Sequence, residues 1–163
     1  MSFHQQLTKK LYTKEQLKPT LDQLVKEDKR VVFTNGCFDI LHRGHVEYLC
    51  KARDLGDYLV LGLNTDESVK RLNKSPERPI NKEETRAIIL AALSCVDAIV
   101  LFNNDTPLDL ITFLKPSILV KGNDYRAENI VGYDVVIANG GKVLTIDLVE
   151  GFSTTKLIEK MKG

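Results

Sequence analysis

Apolar positions along this chain recur with two periods, and the alternation between them lays out its architecture. Residues 31–33, 58–63, 98–102, 117–120 and 142–146 are short, nearly continuous apolar runs, the pattern of parallel strands covered on both faces. Helical spacing lies around them. Leu17, Leu21, Leu24 and Val25 form one stripe behind Thr13 and Gln16, which have the spacing of a capping box, with Pro19 early enough to be tolerated. Val46, Leu49, Cys50, Ala52 and Leu55 form the next stripe and stop at Gly56. Ile88, Ile89, Ala91, Ala92 and Leu93 follow, with Asn81 as the expected cap. Thr106 and Pro107 fit an N-cap and a first helical position. Residues 133–139 read as a short helix ended by Gly140 and Gly141, and a last helix, capped by Ser153 or Thr154, runs to Met161. Residues 1–12 carry neither period and read as a loosely held tail or an oligomer contact. Lys70, Arg71, Lys74 and Arg78 mark a basic loop, because Pro76 and Pro79 rule out a long helix there.

A helix followed by five strand–helix alternations implies right-handed crossovers and an α/β fold. The sheet predicted is Rossmann-like, doubly wound, parallel and five-stranded. The expected layout is an N-terminal tail and helix at 1–30 and one globular domain at 31–163. Ligands of such sheets sit beyond the carboxyl ends of the strands. Polar clusters fall at four strand ends, 34–45, 64–66, 121–125 and 150–155, and their convergence on one edge would make one site.

Composition removes several classes of partner. A formal net charge of +1 speaks against nucleic acid or membrane held by bulk electrostatics. No apolar run approaches the roughly 20 residues that span a bilayer. The first residues lack the layout of a signal peptide, so a cytoplasmic location is expected. Cys37, Cys50 and Cys95 are odd in number and include no CxxC, which predicts neither a disulfide framework nor a structural zinc. Cys50 and Cys95 fall on apolar helix stripes and are expected in the core, while Cys37 reads as a small residue fitting its turn.

Candidate chemistry concentrates in residues 31–45. A buried strand turns through Asn35 and Gly36, a pair suited to positive φ, and meets a helix start at His42, Arg43, Gly44 and His45. Strand, small-residue turn and helix N-terminus together make a phosphate cradle. His42 and His45 are three residues apart, which puts both rings on one face of the first helical turn, and Gly44 leaves room for a phosphate. Surface histidines are the bland alternative, and a metal pair another. Two of the chain's three histidines within four residues weaken the first, and the missing i, i+4 spacing and partner ligands weaken the second. Lys121, directly after a buried strand and before a glycine, is expected to touch a phosphate, with capping of the strand end as the alternative. Arg78 and Arg86 are further candidates for phosphate, ranked below Lys121 because loop and helix arginines are usually solvated, and Tyr125 either stacks on a ring or covers its loop. A dehydrogenase is excluded, since the first turn lacks GxGxxG.

The stretch from Asn35 to His45 resembles the HxGH signature of the nucleotidylyltransferase superfamily, and Glu150 to Lys156 resembles its second, Ser/Thr-rich signature. With Asn64 to Asp66, Arg78 to Asn81, Leu119 to Tyr125 and Ala138 to Gly141, the chain is similar to the D-glycero-β-D-manno-heptose 1-phosphate adenylyltransferases over about residues 13–162. The resemblance implies a strand order of 3-2-1-4-5, counting the five strands along the chain. It implies transfer of AMP from ATP to a sugar 1-phosphate, with Mg²⁺ carried mainly by the nucleotide phosphates and no protein metal site. It implies a homodimer and, since no kinase half precedes it, the stand-alone form. The catalytic set implied is His42, His45 and Lys121. The nucleotide contacts are Asn35, Gly36, Cys37, Phe38, Gly44, Asp124, Gly151, Ser153, Thr154 and Thr155. The acceptor contacts are Asp39, Asn64, Asp66 and Arg78. Leu148 stands where glycerol 3-phosphate cytidylyltransferases carry Arg, which turns the reading away from that rival. A non-catalytic ATP-sensing module is the rival of another class, and intact signatures at both ends argue against it.

Overall fold

The computed structural model describes all residues from Met1 to Gly163. Six parallel strands form one sheet: β1 (Leu11–Tyr12), β2 (Val31–Gly36), β3 (Tyr58–Asn64), β4 (Ala98–Phe102), β5 (Ile118–Gly122) and β6 (Lys142–Ile146). Eight helices accompany them: α1 (Phe3–Thr8), α2 (Lys14–Lys26), α3 (Arg43–Asp54), α4 (Asp66–Arg71), α5 (Glu83–Ala91), α6 (Leu108–Leu114), α7 (Tyr133–Ala138) and α8 (Thr154–Lys162).

Strand pleating divides the core in two, because successive side chains point to opposite faces. Val32, Leu59, Leu61, Leu63, Ile99 and Val120 face α3 and α5, where Leu49, Ala52, Ala87, Leu90 and Ala91 meet them. Val31, Phe33, Val60, Val100 and Leu119 face the other way, against Leu17 and Leu21 of α2, Ile111 and Leu114 of α6 and Val136 of α7. A sheet buried on both sides explains why its strands read as unbroken apolar runs.

The expected count of five strands is corrected to six, in the order β1-β4-β3-β2-β5-β6, within which the five expected strands keep the order 3-2-1-4-5. The extra strand is β1, which lies parallel to β4 with Leu11 opposite Ile99. Residues 1–12 are therefore no loose tail. Ser2 closes a capping box on α1, Leu7 and Leu11 pack on the core, and the Lys10 ammonium donates to the Leu93 carbonyl at 3.0 Å. Two strand residues are too few for periodicity to register.

Other local expectations shift for similar reasons. Lys70 and Arg71 end α4 rather than opening a loop, in the last turn where cations oppose the helix dipole. Asn81 caps nothing, since α5 begins at Glu83 after Lys82. Pro107 is the N-cap of α6 rather than its first residue. Lys121 and Gly122 belong to β5 rather than following it. Cys50 is exposed and Cys95 only half-buried, so neither is a core thiol.

Candidate active site

The carboxyl ends of β2, β5 and β6 open into one cavity of about 570 Å³. Its walls come from residues 35–45 after β2, 121–125 at the end of β5, 148–155 after β6, and Lys74 and Arg78 from the link between α4 and α5. Three of the four expected polar clusters meet there. The fourth, 64–66, does not line it.

The turn after β2 is built around two close approaches. Phe38 holds a positive φ of 46°, unfavourable for a side chain of its size, and its ring lies over Gly36. A Cβ on Gly36 would come within 2.7 Å of that ring. A Cβ on Gly44 would sit 3.0 Å from both the His42 ring and the Phe152 Cβ, so the first helical turn and the 152–155 segment are in direct contact there. The Thr154 hydroxyl also reaches the Ile40 carbonyl at 3.4 Å. Ser153 caps α8 by accepting from the Lys156 N–H at 3.0 Å, which aligns the remaining N–H groups of that helix start. The two signatures, more than a hundred residues apart in sequence, thus share one wall.

His42 and His45 stack with ring centroids 3.8 Å apart, and Phe38 meets His45 edge-on at 5.1 Å. Phe152 lies nearly parallel to His42, with ring centroids 6.1 Å apart. The Nδ1 atoms of both histidines are buried without a hydrogen-bond partner. Burial pushes His45 down to about 4, and the neighbouring His42, Lys74 and Arg78 add to the push. Burial also lowers His42. Both rings are neutral at pH 7, and each holds a buried Nδ1 without a partner, an arrangement that costs free energy.

Lys121 completes the cationic side. Its ammonium donates to the Asn35 carbonyl at 3.1 Å and stands 5.7 Å from the centre of the Tyr125 ring. Burial lowers its pKa, with Asp124 pulling the other way. Lys74 approaches the Cys37 sulfur at 3.8 Å. Gly122, Asp124, Leu148 and Val149 also line the cavity, and a Cβ on Gly122 would come within 2.7 Å of the Asp124 carboxylate and 2.9 Å of the Leu148 side chain.

The cavity brings together His42, His45, Lys121, Asn35, Gly36, Cys37, Phe38, Gly44, Asp124, Arg78, Ser153, Thr154 and Thr155. Gly151 adjoins it with a φ of 83° but does not line it. Asp39, Asn64 and Asp66, expected at the acceptor, do not line the cavity and bond instead to neighbouring groups of the fold. Asp39 accepts from Arg78 Nε at 3.2 Å and from the Ile80 and Asn81 N–H groups at 2.8 Å each. The Asn64 amide donates to Ser68 at 3.0 Å. Asp66 accepts from Arg86 at 2.8 Å and from no cavity group.

Arg86 corrects the reading of a solvated arginine. It is 1% exposed and donates to four groups: the carbonyls of Cys37 and Asn64 at 2.8 Å, that of Asn81 at 3.0 Å, and Asp66. One side chain thereby ties the turn after β2 to the end of β3. Its spacing from Leu90, i to i+4, placed it on the buried stripe of α5 and could have revealed this. Tyr48 was also missed. It lines the cavity from α3, bonded to Thr34 at 2.8 Å and raised to about 12 by burial.

A family model described as cytidylyltransferase-like matches residues 33–160. The bifunctional protein HldE of Syntrophotalea carbinolica is 57% identical over 152 residues, which cover 93% of this chain and 31% of that protein. The HldE of Campylobacter jejuni subsp. jejuni serotype O:6 is 56% identical over 154 residues, 94% of this chain and 32% of that protein. The chain thus spans about a third of the length of the curated relatives it matches. Among solved structures, the lipopolysaccharide core biosynthesis protein from Thermoplasma volcanium GSS1 superposes with a TM-score of 0.62 at 28% identity, covering 75% of this chain and 99% of that one. Pantothenate synthetase from Thermus thermophilus, at 15% identity and a TM-score of 0.64 over 91% of this chain and 67% of that one, shares the fold.

Proposed function

This chain belongs to the cytidylyltransferase-like family, and from that premise we propose that it transfers AMP from ATP to D-glycero-β-D-manno-heptose 1-phosphate, giving ADP-heptose and pyrophosphate for the lipopolysaccharide core. The observation that carries the reading is the contact between the 42–45 and 152–155 turns around one cavity. The description of the Thermoplasma volcanium neighbour as a lipopolysaccharide core biosynthesis protein supports the choice of product.

In this reading the triphosphate lies between the two helix starts. The β- and γ-phosphates rest on the N–H groups and hydroxyls of Ser153 to Thr155, with the α-phosphate beside His42, His45 and Lys121. The adenine takes the end lined by Gly122, Asp124, Leu148 and Val149. An oxygen of the acceptor phosphate attacks Pα in line. The new P–O bond forms as the bond from Pα to the bridging oxygen breaks, and pyrophosphate leaves with that electron pair. The attacking oxygen is already anionic, so no side chain must take a proton. Catalysis is then positioning and charge stabilisation, for which neutral imidazoles with unsatisfied polar atoms are suited. No three His, Cys, Asp or Glu side chains come together as a metal cage. Mg²⁺ therefore enters this reading bound to the substrate triphosphate, and no step is assigned to it.

A matrix of nucleotides against sugar and polyol phosphates, scored by pyrophosphate release, tests the proposal. The highest kcat/KM is expected for ATP with the heptose 1-phosphate. Preference for CTP with glycerol 3-phosphate would replace it with the cytidylyltransferase reading, and ATP binding without pyrophosphate from any acceptor would replace it with a sensor. The homodimer belongs to the same proposal and is checked by light scattering. No helix is long and apolar enough to cross a membrane.

A further inference from the structure

A second cavity of about 160 Å³ lies against the first and shares Asn35, Lys121 and Tyr125 with it. Its own polar lining comes from Asp105 and Thr106, between β4 and α6, and from Asn129, between β5 and α7. None of these three stands in either signature.

The chemistry of this lining is specific. Lys121 is its only cation, so the cavity does not suit a second triphosphate. Its volume is below the ~300–1,000 Å³ of pockets for drug-sized ligands, which suits a single sugar ring better than a nucleoside. The Lys121 ammonium uses one of its three donors on the Asn35 carbonyl and stands in the wall common to both cavities. One carboxylate oxygen of Asp105 accepts from Arg71 at 2.7 Å, which leaves the other for a hydroxyl. Asn129 and Thr106 are exposed at the rim, where an amide and a hydroxyl can both give and accept hydrogen bonds. A ligand matching these groups is a polyhydroxylated body with one phosphate.

We infer that the second cavity is the sugar subsite for the acceptor, with ring hydroxyls against Asp105, Thr106 and Asn129 and the 1-phosphate at Lys121 facing the α-phosphate. This rests on the functional reading above and moves the acceptor from Asn64 and Asp66 to the neighbouring loop after β4 and the segment after β5. The subsite determines which sugar is accepted and leaves ATP binding alone.

Asn129→Leu and Thr106→Val, both at exposed positions, test it by pyrophosphate release, with the heptose 1-phosphate and ATP varied in turn. The KM for the sugar phosphate is expected to rise about tenfold in Asn129→Leu, the loss of roughly one hydrogen bond, and by less in Thr106→Val. The KM for ATP stays at the wild-type value in both. An unchanged sugar KM in both variants, or an equal rise for ATP, overturns the subsite while wild-type turnover keeps the functional reading. Wild type that releases no pyrophosphate with any sugar 1-phosphate removes that reading and the subsite with it.

Discussion

The turn after β2 and the segment after β3 look alike in composition and serve opposite ends. Both follow a buried strand, and both carry polar residues directly beyond it. After β3, Asn64 and Asp66 spend their hydrogen bonds on Ser68 and Arg86. After β2, His42 and His45 each keep a buried Nδ1 without a partner. Polar side chains bonded to their neighbours hold the shape, and a buried one left without a partner calls for an explanation, which an incoming ligand would supply. Asp39 shows that the division runs within one loop, because it lies three residues before His42 and is fully engaged.

The largest effect expected is at the satisfied end. Arg86→Met leaves three carbonyls and Asp66 without their donor, and should lower stability by about 3–5 kcal/mol in urea unfolding followed by circular dichroism. An unmoved midpoint would break the comparison from that side. At the incomplete end, His45→Ala should fold with a wild-type midpoint and lose about 10²–10³ in kcat, read as pyrophosphate release. Near-full turnover in that variant removes the role given to the histidine pair.

The smallest effect sharpens the contrast through pH. His45 stays neutral in the folded protein down to about pH 4, but its unfolded pKa is the ordinary 6.5. Between those values the unfolded chain binds more protons, so stability falls as pH drops through that window. The slope is at most about 1.4 kcal/mol per pH unit. Urea midpoints from neutral pH to about pH 4.5 should show this decline, and His45→Ala should flatten it.

The strands from β2 to β6 and both signature turns were legible because burial on two faces and helix-start chemistry leave strong local patterns. Leu11 and Tyr12 were not, since a two-residue edge strand is created by its partner rather than by its own sequence. Asn64 and Asp66 were assigned to the acceptor because position at a strand end says nothing about who bonds them. Their partner Arg86 is about 20 residues away in the chain, and only folding reveals that it is buried. The second cavity stayed invisible for a related reason: Asp105, Thr106 and Asn129 sit in ordinary loops and acquire meaning only through Lys121 between the two spaces.

The reach of Thr154 to the Ile40 carbonyl bears on how the molecule comes into being. Residue 154 leaves the ribosome more than a hundred residues after residue 40, so β2 emerges well before the segment that closes this wall of the cavity. The wall that the two turns share is then completed only when α8 docks, a step separable from pairing β2 with its neighbours.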